Sequence, residues 1–177
     1  SIGGNLSTNA GGLCCVKYGV TTDAVLGLEV VLASGEVLRT GRRTVKGVAG
    51  YDLTKLIVGS EGTLGIITEA TIHVHRLPER RVILGYLLPD WPRALAAMRA
   101  IAESEASPST TRVSDAAETQ FSFATRRDPS AVDRAKSAAM ERYLRRRGID
   151  REAMCLAFVG YEGSAVSVGA QRRLVGR

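Results

Sequence analysis

Cysteine is scarce in this 177-residue sequence: Cys14, Cys15 and Cys155 are the only three, and two of them are adjacent. That number and spacing exclude a disulfide framework and a zinc site of separated ligand pairs, and they fit a reducing, cytoplasmic setting. Aromatic residues make up only 5%. The formal charge of +6 is therefore carried by dispersed arginines, in Arg42-Arg43, Arg80-Arg81, Arg126-Arg127, Arg145-Arg146-Arg147 and Arg172-Arg173, with no interleaved aromatic stripe. Such a surface is solvated rather than built for nucleic acid. No apolar run reaches the roughly 18 residues of a membrane span, and no charged segment followed by an apolar stretch marks a signal peptide. An initiator methionine is also missing, and with the ending QRRLVGR we expect a piece of a longer polypeptide.

What is present is an ordinary globular composition, 45% hydrophobic and 24% charged, enough for one domain or two small ones. Alternation in TDAVLGLEVVLASGEVLRT puts Leu28, Val30 and Leu32 on one face, breaks at Ser34-Gly35 and resumes at Val37 and Leu38, which predicts a β-hairpin. Asp52 is placed to cap a short helical turn through Leu53, Lys55 and Leu56, halted at Gly59. From Thr63 a long strand is expected, with Ile66, Thr68, Ala70, Ile72 and Val74 on its apolar face and Ile67, Glu69, Thr71, His73 and His75 on the polar one.

Pro78 ends that strand, and the LPERR stretch marks a boundary beyond which the rhythm changes. VILGYLLP reads as a strand. Asp90 then caps a helix with Pro92 in its first turn and Leu95, Met98 and Ile101 at helical spacing. A turn and short strand follow in SPSTTRVSD. A second helix is expected from Asp128-Pro129 through Val132, Ala135, Ala139, Met140 and Tyr143 to Gly148. MCLAFVGYEG is strand-like and SAVSVGAQRRLV begins a third helix, an order that suits a small open sheet covered on one side.

Two glycine clusters carry the chemistry. SIGGNLSTNAGG is a polar opening loop in this reading, and GSEGTLG places Gly59, Gly62 and Gly65 at intervals of three. Backbone without Cβ atoms approaches a ligand closely and aims N–H groups at phosphate oxygens, while Ser1, Ser7 and Thr8 offer hydroxyls. Neither the dinucleotide G-x-G-x-x-G at a strand-to-helix turn nor the Walker A pattern occurs, so a flexible linker or tight turn stays open as the alternative for the first cluster.

SIGGNLSTNAGG, KYG, VLGLEVVLASGEVL and GYDLTKLIVGSEGTLGIITEATI, in this order, resemble the second half of the FAD-binding domain of flavoproteins of the vanillyl-alcohol-oxidase type. Relatives with these motifs include D-lactate, glycolate and D-2-hydroxyglutarate dehydrogenases and alkyldihydroxyacetonephosphate synthase. The resemblance implies an α+β fold: the C-terminal part of a PCMH-type FAD-binding domain over residues 1–79, then the N-terminal part of an α/β substrate or cap domain over residues 80–177. It further implies FAD contacts at Ser1, Gly3, Gly4, Thr8, Asn9, Ala10 and Gly11, and at Glu61, Gly62, Thr63, Leu64, Gly65, Ile66 and Ile67, with Tyr18 and Gly19 as supports.

SPSTTRVSDAAETQFSFA and YLRRRGIDREAMCLAFVGYEG resemble the cap domain of the synthase and its bacterial relatives, whose active-site arginine falls at Arg112. A guanidinium fork suits a carboxylate or phosphate; a surface pair of Arg112 with Asp115 is the bland reading. The implied activity is FAD-dependent oxidation of a D-2-hydroxyacid or similar alcohol by hydride transfer to flavin, with the base outside this segment. An ether-lipid synthase without net redox change is the alternative, and a non-catalytic segment that binds no flavin is the alternative of another class. The expected partner is a small acidic substrate, with no nucleic acid, no transmembrane span and a homodimer left open.

No metal site is expected. His73 and His75 share a strand face with Glu69, but solvated side chains account for them, and the metal ligands of the resembling dehydrogenases belong to a later segment. Cys14 and Cys15 read as packing residues, and Trp91 as a helix-end packing residue.

Overall fold

The computed structural model describes residues 1–125 and 140–176. It divides into two compact units, Ser1–Leu77 and Pro78–Arg177.

In the first unit three short helices, α1 (Ile2–Thr8), α2 (Cys15–Tyr18) and α3 (Thr21–Ala24), lead into the hairpin of β1 (Val25–Val31) and β2 (Val37–Gly41); α4 (Leu53–Ile57) and β3 (Ile66–Ile72) complete it. The sheet is antiparallel in the order β2-β1-β3. Alternation on the central strand sends Leu28 and Val30 inward, where with Val25 they meet Leu6 of α1 and Ile57 and Val58 at the end of α4. Asp52 caps α4 by accepting from the Lys55 N–H at 3.1 Å, as its position in the sequence anticipates.

Two expectations are corrected here. The opening stretch is not a loop: Ser1 accepts from the Gly4 N–H at 3.1 Å, Asn9 ends the helix in the left-handed region at φ 48°, and Leu6 anchors it in the core. The faces of β3 also change along its length. Glu29 pairs with Glu69 but Val30 pairs with Ile67, so Thr68 is the extra residue of a β-bulge. Ile67 and Ala70 therefore both pack on the core, and Ile66, assigned to the apolar face, is 70% exposed.

The second unit comprises β4 (Arg80–Leu88), α5 (Trp91–Glu103), β5 (Thr110–Ser114), α6 (Ala116–Ala124), the helical residues 140–146 (α7), β6 (Cys155–Gly163) and α8 (Ala165–Val175). The expected start of a helix at Asp128-Pro129, with Val132, Ala135 and Ala139, lies outside the described residues; Met140 and Tyr143 are in α7, and Gly148 ends it at φ 64°. The sheet is antiparallel in the order β4-β6-β5. Central placement explains why Ala157, Val159 and Tyr161 of β6 are fully buried. Ile101 of α5 and Val168 of α8 cover Val159 and Tyr161 on one face. The other face carries Arg112, in register with Phe158, and the half-exposed Ile83.

Tyr161 shares a 2.8 Å hydroxyl–hydroxyl hydrogen bond with Tyr86. Burial, reinforced by that bond, pushes the Tyr161 phenol well above its ordinary value of 10.0. Because the fold holds a proton that the unfolded chain releases, stability is complete below about pH 10 and falls as pH rises beyond it. A Tyr161→Phe variant is expected to flatten this alkaline fall in denaturant titrations from about pH 8 to 11, while costing about 1 kcal/mol at neutral pH from the lost hydrogen bond. An unchanged pH profile would contradict this assignment.

Candidate functional site

In the first unit the two glycine clusters are bound to each other. The Gly59 N–H donates to the Leu6 carbonyl at 2.9 Å and the Glu61 N–H donates to the Ser7 carbonyl at 2.9 Å, so the GSEGTLG turn lies along the end of α1. Asn9 accepts from the Thr22 N–H at 2.9 Å, and the Ala10 carbonyl accepts from the Thr21 hydroxyl at 2.7 Å, tying the same end to α3. Ser1, Gly3 and Gly4 form the cap and first turn of α1, Thr8 is its last residue, and Asn9, Ala10 and Gly11 follow directly. Glu61, Gly62, Thr63 and Leu64 form an exposed turn, from which Gly65, Ile66 and Ile67 lead into β3.

The reasons for the glycines differ. Gly59, Gly62 and Gly65 have φ of 85°, 81° and 155°, so the turn itself requires them, and Glu61 adopts φ 52° beside them. Their regular spacing is explained by backbone conformation without any ligand, which replaces the reading that a close approach is what demands them. Gly11 also has an internal reason, since a Cβ there would lie 3.3 Å from both Cys15 Sγ and Val20 Cγ1. Gly3 and Gly12 do not: a Cβ at either position meets nothing within 4 Å, and neither has positive φ. Glycine in a helix such as α1 costs up to about 1 kcal/mol relative to alanine, and Gly3, like Gly169 in α8, leaves backbone open at the helix surface, with room for a ligand to approach. Gly12, outside the residues singled out from the sequence, carried its signal in the second glycine of NAGG.

Arg112 is held in the second unit. Asp115 caps α6 by accepting from the Glu118 N–H at 2.8 Å, and Thr119, fully buried, accepts from the Leu156 N–H at 3.0 Å and donates to the Ser114 carbonyl at 3.3 Å. This pins the first turn of α6 over the end of β5. Glu118 is thereby delivered to the Arg112 guanidinium, while Asp115 is occupied as a cap, so the partner of Arg112 is Glu118 rather than Asp115. With its side chain 52% exposed, Arg112 keeps donors available beside Phe158 on the open sheet face.

Other candidates take structural roles. Cys14 and Cys15 are half-buried and in no disulfide, and the Gly12 N–H donates to Cys15 Sγ at 2.9 Å. Burial, with Asp115 and Asp90 adding to it, pushes the Cys155 thiol up, which keeps it protonated and no nucleophile. Tyr18 stacks at 4.8 Å against His75.

Residues 77–175 match the family of FAD linked oxidases through its C-terminal domain, and residues 1–41 match the FAD binding domain family. The chain belongs to the FAD-linked oxidases. This FAD-linked oxidase chain is 60% identical over 84 residues to the glycolate oxidase subunit GlcD of Bacillus subtilis, a match covering 48% of the chain and 18% of that protein. It is 38% identical over 177 residues to alkyldihydroxyacetonephosphate synthase of Dictyostelium discoideum, covering 99% of the chain and 28% of that protein. A solved alkyldihydroxyacetonephosphate synthase superimposes with a TM-score of 0.80 at 34% identity, over 98% of the chain and 31% of that structure. The chain thus spans less than a third of the length of these relatives.

FAD is the cofactor of this family, and the first unit fits it: the uncovered backbone at Gly3 and Gly12 offers a surface that no side chain of the described residues fills. Among the described residues no group of three or more His, Cys, Asp or Glu side chains is placed to hold a metal, and no helix is long and apolar enough to cross a membrane.

Proposed function

We propose that the protein to which this chain belongs is an FAD-dependent oxidoreductase acting on a D-2-hydroxyacid or a similar alcohol. The observation that carries the cofactor half of this reading is the open backbone at Gly3 in α1 and at Gly12 shortly after it, with the GSEGTLG turn bonded to the end of α1. Bound FAD supplies a two-electron acceptor for hydride; the residues of this chain bind and orient it. Backbone around Gly3, Gly4, Gly11 and Gly12 and the turn from Glu61 to Gly65, continuing into Ile66 and Ile67, would contact the cofactor, with Ser1, Thr8 and Asn9 nearby as polar groups. In that reading Ser1, Thr8 and Asn9 mainly hold the shape of the surface, because all three already bond within the chain.

Arg112 is the proposed anchor for the acidic group of the substrate. Its guanidinium is half exposed and, among the described residues, paired with one carboxylate, so an incoming carboxylate or phosphate would exchange for Glu118. The second reading, an alkyldihydroxyacetonephosphate synthase-like enzyme, is favoured by one observation: the match to that synthase spans both units, whereas the glycolate oxidase match covers 48% of the chain. The second unit is where the two readings would differ, because it carries the proposed substrate anchor.

Anaerobic mixing of the intact flavoprotein with D-lactate, glycolate or D-2-hydroxyglutarate separates them. Bleaching of the flavin band supports the oxidoreductase; bound FAD that none of them reduces counts for the synthase. In the oxidising enzyme Arg112→Ala is expected to raise KM by roughly ten- to a hundredfold, Arg112→Lys to recover part of it, and Glu118→Gln to lower KM by removing the competing carboxylate. Unchanged KM in all three would remove Arg112 from the site.

A further inference from the structure

We propose that His73 and His75 form a surface chelate for a late first-row divalent cation, with water completing its coordination. The two residues follow β3 directly and are two apart in sequence. The His73 N–H donates to the Ala24 carbonyl at 2.7 Å, which fixes the backbone from which the pair projects. Their ring centroids lie 4.8 Å apart at an interplanar angle of 77°. Both side chains are exposed, and neither ring hydrogen-bonds to another group among the described residues.

The spacing matches what two imidazole ligands require. With metal–nitrogen bonds of about 2.0–2.1 Å, each ring centroid sits about 3.2 Å from the ion, and a ligand–metal–ligand angle between about 90° and 110° separates the centroids by about 4.5–5.2 Å. The rings meet edge to face, so bringing both nitrogens to one ion requires the exposed side chains to turn. The Tyr18 ring also lies 4.8 Å from the His75 ring and limits the space that ring explores. The charged groups nearby in the sequence and around Tyr18 are Arg76, next to His75, and Lys17, whose ammonium lies 5.0 Å from the Tyr18 ring centroid.

A third protein ligand is not supplied. Glu69, on the same face in the sequence pattern, is four residues back along an extended strand, about 13 Å away, and faces Glu29 across the sheet. The site is therefore a two-nitrogen chelate open to solvent, which sets its preference. Imidazole selects Cu²⁺, Ni²⁺ and Zn²⁺ over Mg²⁺ and Ca²⁺, and affinity should rise from Co²⁺ through Ni²⁺ to Cu²⁺. The inference does not depend on flavin.

The test is calorimetric titration of the intact, chelator-stripped protein with Cu²⁺, Ni²⁺ and Mg²⁺, comparing wild type with His73→Asn, His75→Asn and the double variant. Wild type should take up one more equivalent of Cu²⁺ than the double variant. Either single substitution should weaken that uptake at least about tenfold, the low end of what losing even an outer-shell partner costs a metal site. Copper EPR should show nitrogen coupling that the double variant lacks. Tyr18→Phe should keep the site. Thermal melts of all variants identify any loss through misfolding, and a single-residue variant that folds normally still decides the question. Equal Cu²⁺ uptake by wild type and a folded double variant, or Mg²⁺ uptake that tracks these histidines, would overturn the proposal.

Discussion

A Gly3→Leu variant of the intact protein is expected to melt at or slightly above the wild-type temperature and yet bind FAD roughly ten- to a hundredfold more weakly. The opposite signs follow from one geometric fact. A Cβ at Gly3 meets nothing within 4 Å, so the fold has room for the side chain, and leucine is the better helix former by up to about 1 kcal/mol. The surface it would cover is the one proposed for the cofactor. Gly11→Ala is the control with reversed logic: its Cβ would lie 3.3 Å from Cys15 Sγ and Val20 Cγ1, so stability falls first and flavin affinity only through it. Fluorescence titration of the apoprotein with FAD, beside thermal melts, reads both quantities. Wild-type affinity in Gly3→Leu would mean that the bare helix surface faces something other than the cofactor.

The largest effect on stability is expected at Gly41, the last residue of β2, which faces Gly27 in the register of the hairpin. Gly41 has φ 75°, and a Cβ there would come within 2.6 Å of Gly27 Cα and 2.7 Å of Thr54 Oγ1. Gly41→Ala therefore combines the left-handed penalty, about 1–2 kcal/mol, with a collision against backbone that cannot step aside. A loss of at least about 3 kcal/mol is expected, a large share of the roughly 5–15 kcal/mol that holds a protein folded. Gly35, in the hairpin turn at φ 88°, separates the two contributions because nothing lies within 4 Å of its Cβ. Gly35→Asn should cost under about 1 kcal/mol, since asparagine tolerates that conformation. Equal costs at the two positions in urea titrations would refute the collision argument.

Elements whose sequence signal is local were legible. The hairpin follows from alternation interrupted at Ser34-Gly35, and α4 and α5 from Asp52 and Asp90 standing before helical residues. Helix α1 was not legible, because a seven-residue helix with two glycines has no apolar periodicity; it exists through its caps and through Leu6 reaching the core. Helix α6 went unread although Asp115 and Glu118 carry a capping pattern, since its pinning residue, Thr119, is a buried polar group that no hydrophobic pattern reveals. The face of β3 was misassigned because a bulge at Thr68 is a property of pairing with β1 and not of β3 alone.

The site followed the same division. Family membership was legible in the ordered motifs and is borne out by the matches over residues 1–41 and 77–175. The reasons for individual glycines were not: Gly59, Gly62 and Gly65 are accounted for by positive φ, and Gly12, unlike Gly3, is noticed only when its empty surroundings are seen. Arg112 stood out through resemblance, but its competitor Glu118 needed the α6 cap to come into view.

The central claim is that α1 and the GSEGTLG turn together present a cofactor surface, and reconstitution of the purified intact protein with FAD tests it most directly. The expected result is one tightly held FAD per chain, seen as a flavin absorption band that survives gel filtration and is diminished in Gly3→Leu. A correctly folded intact protein that stays colourless after incubation with excess FAD would contradict the account.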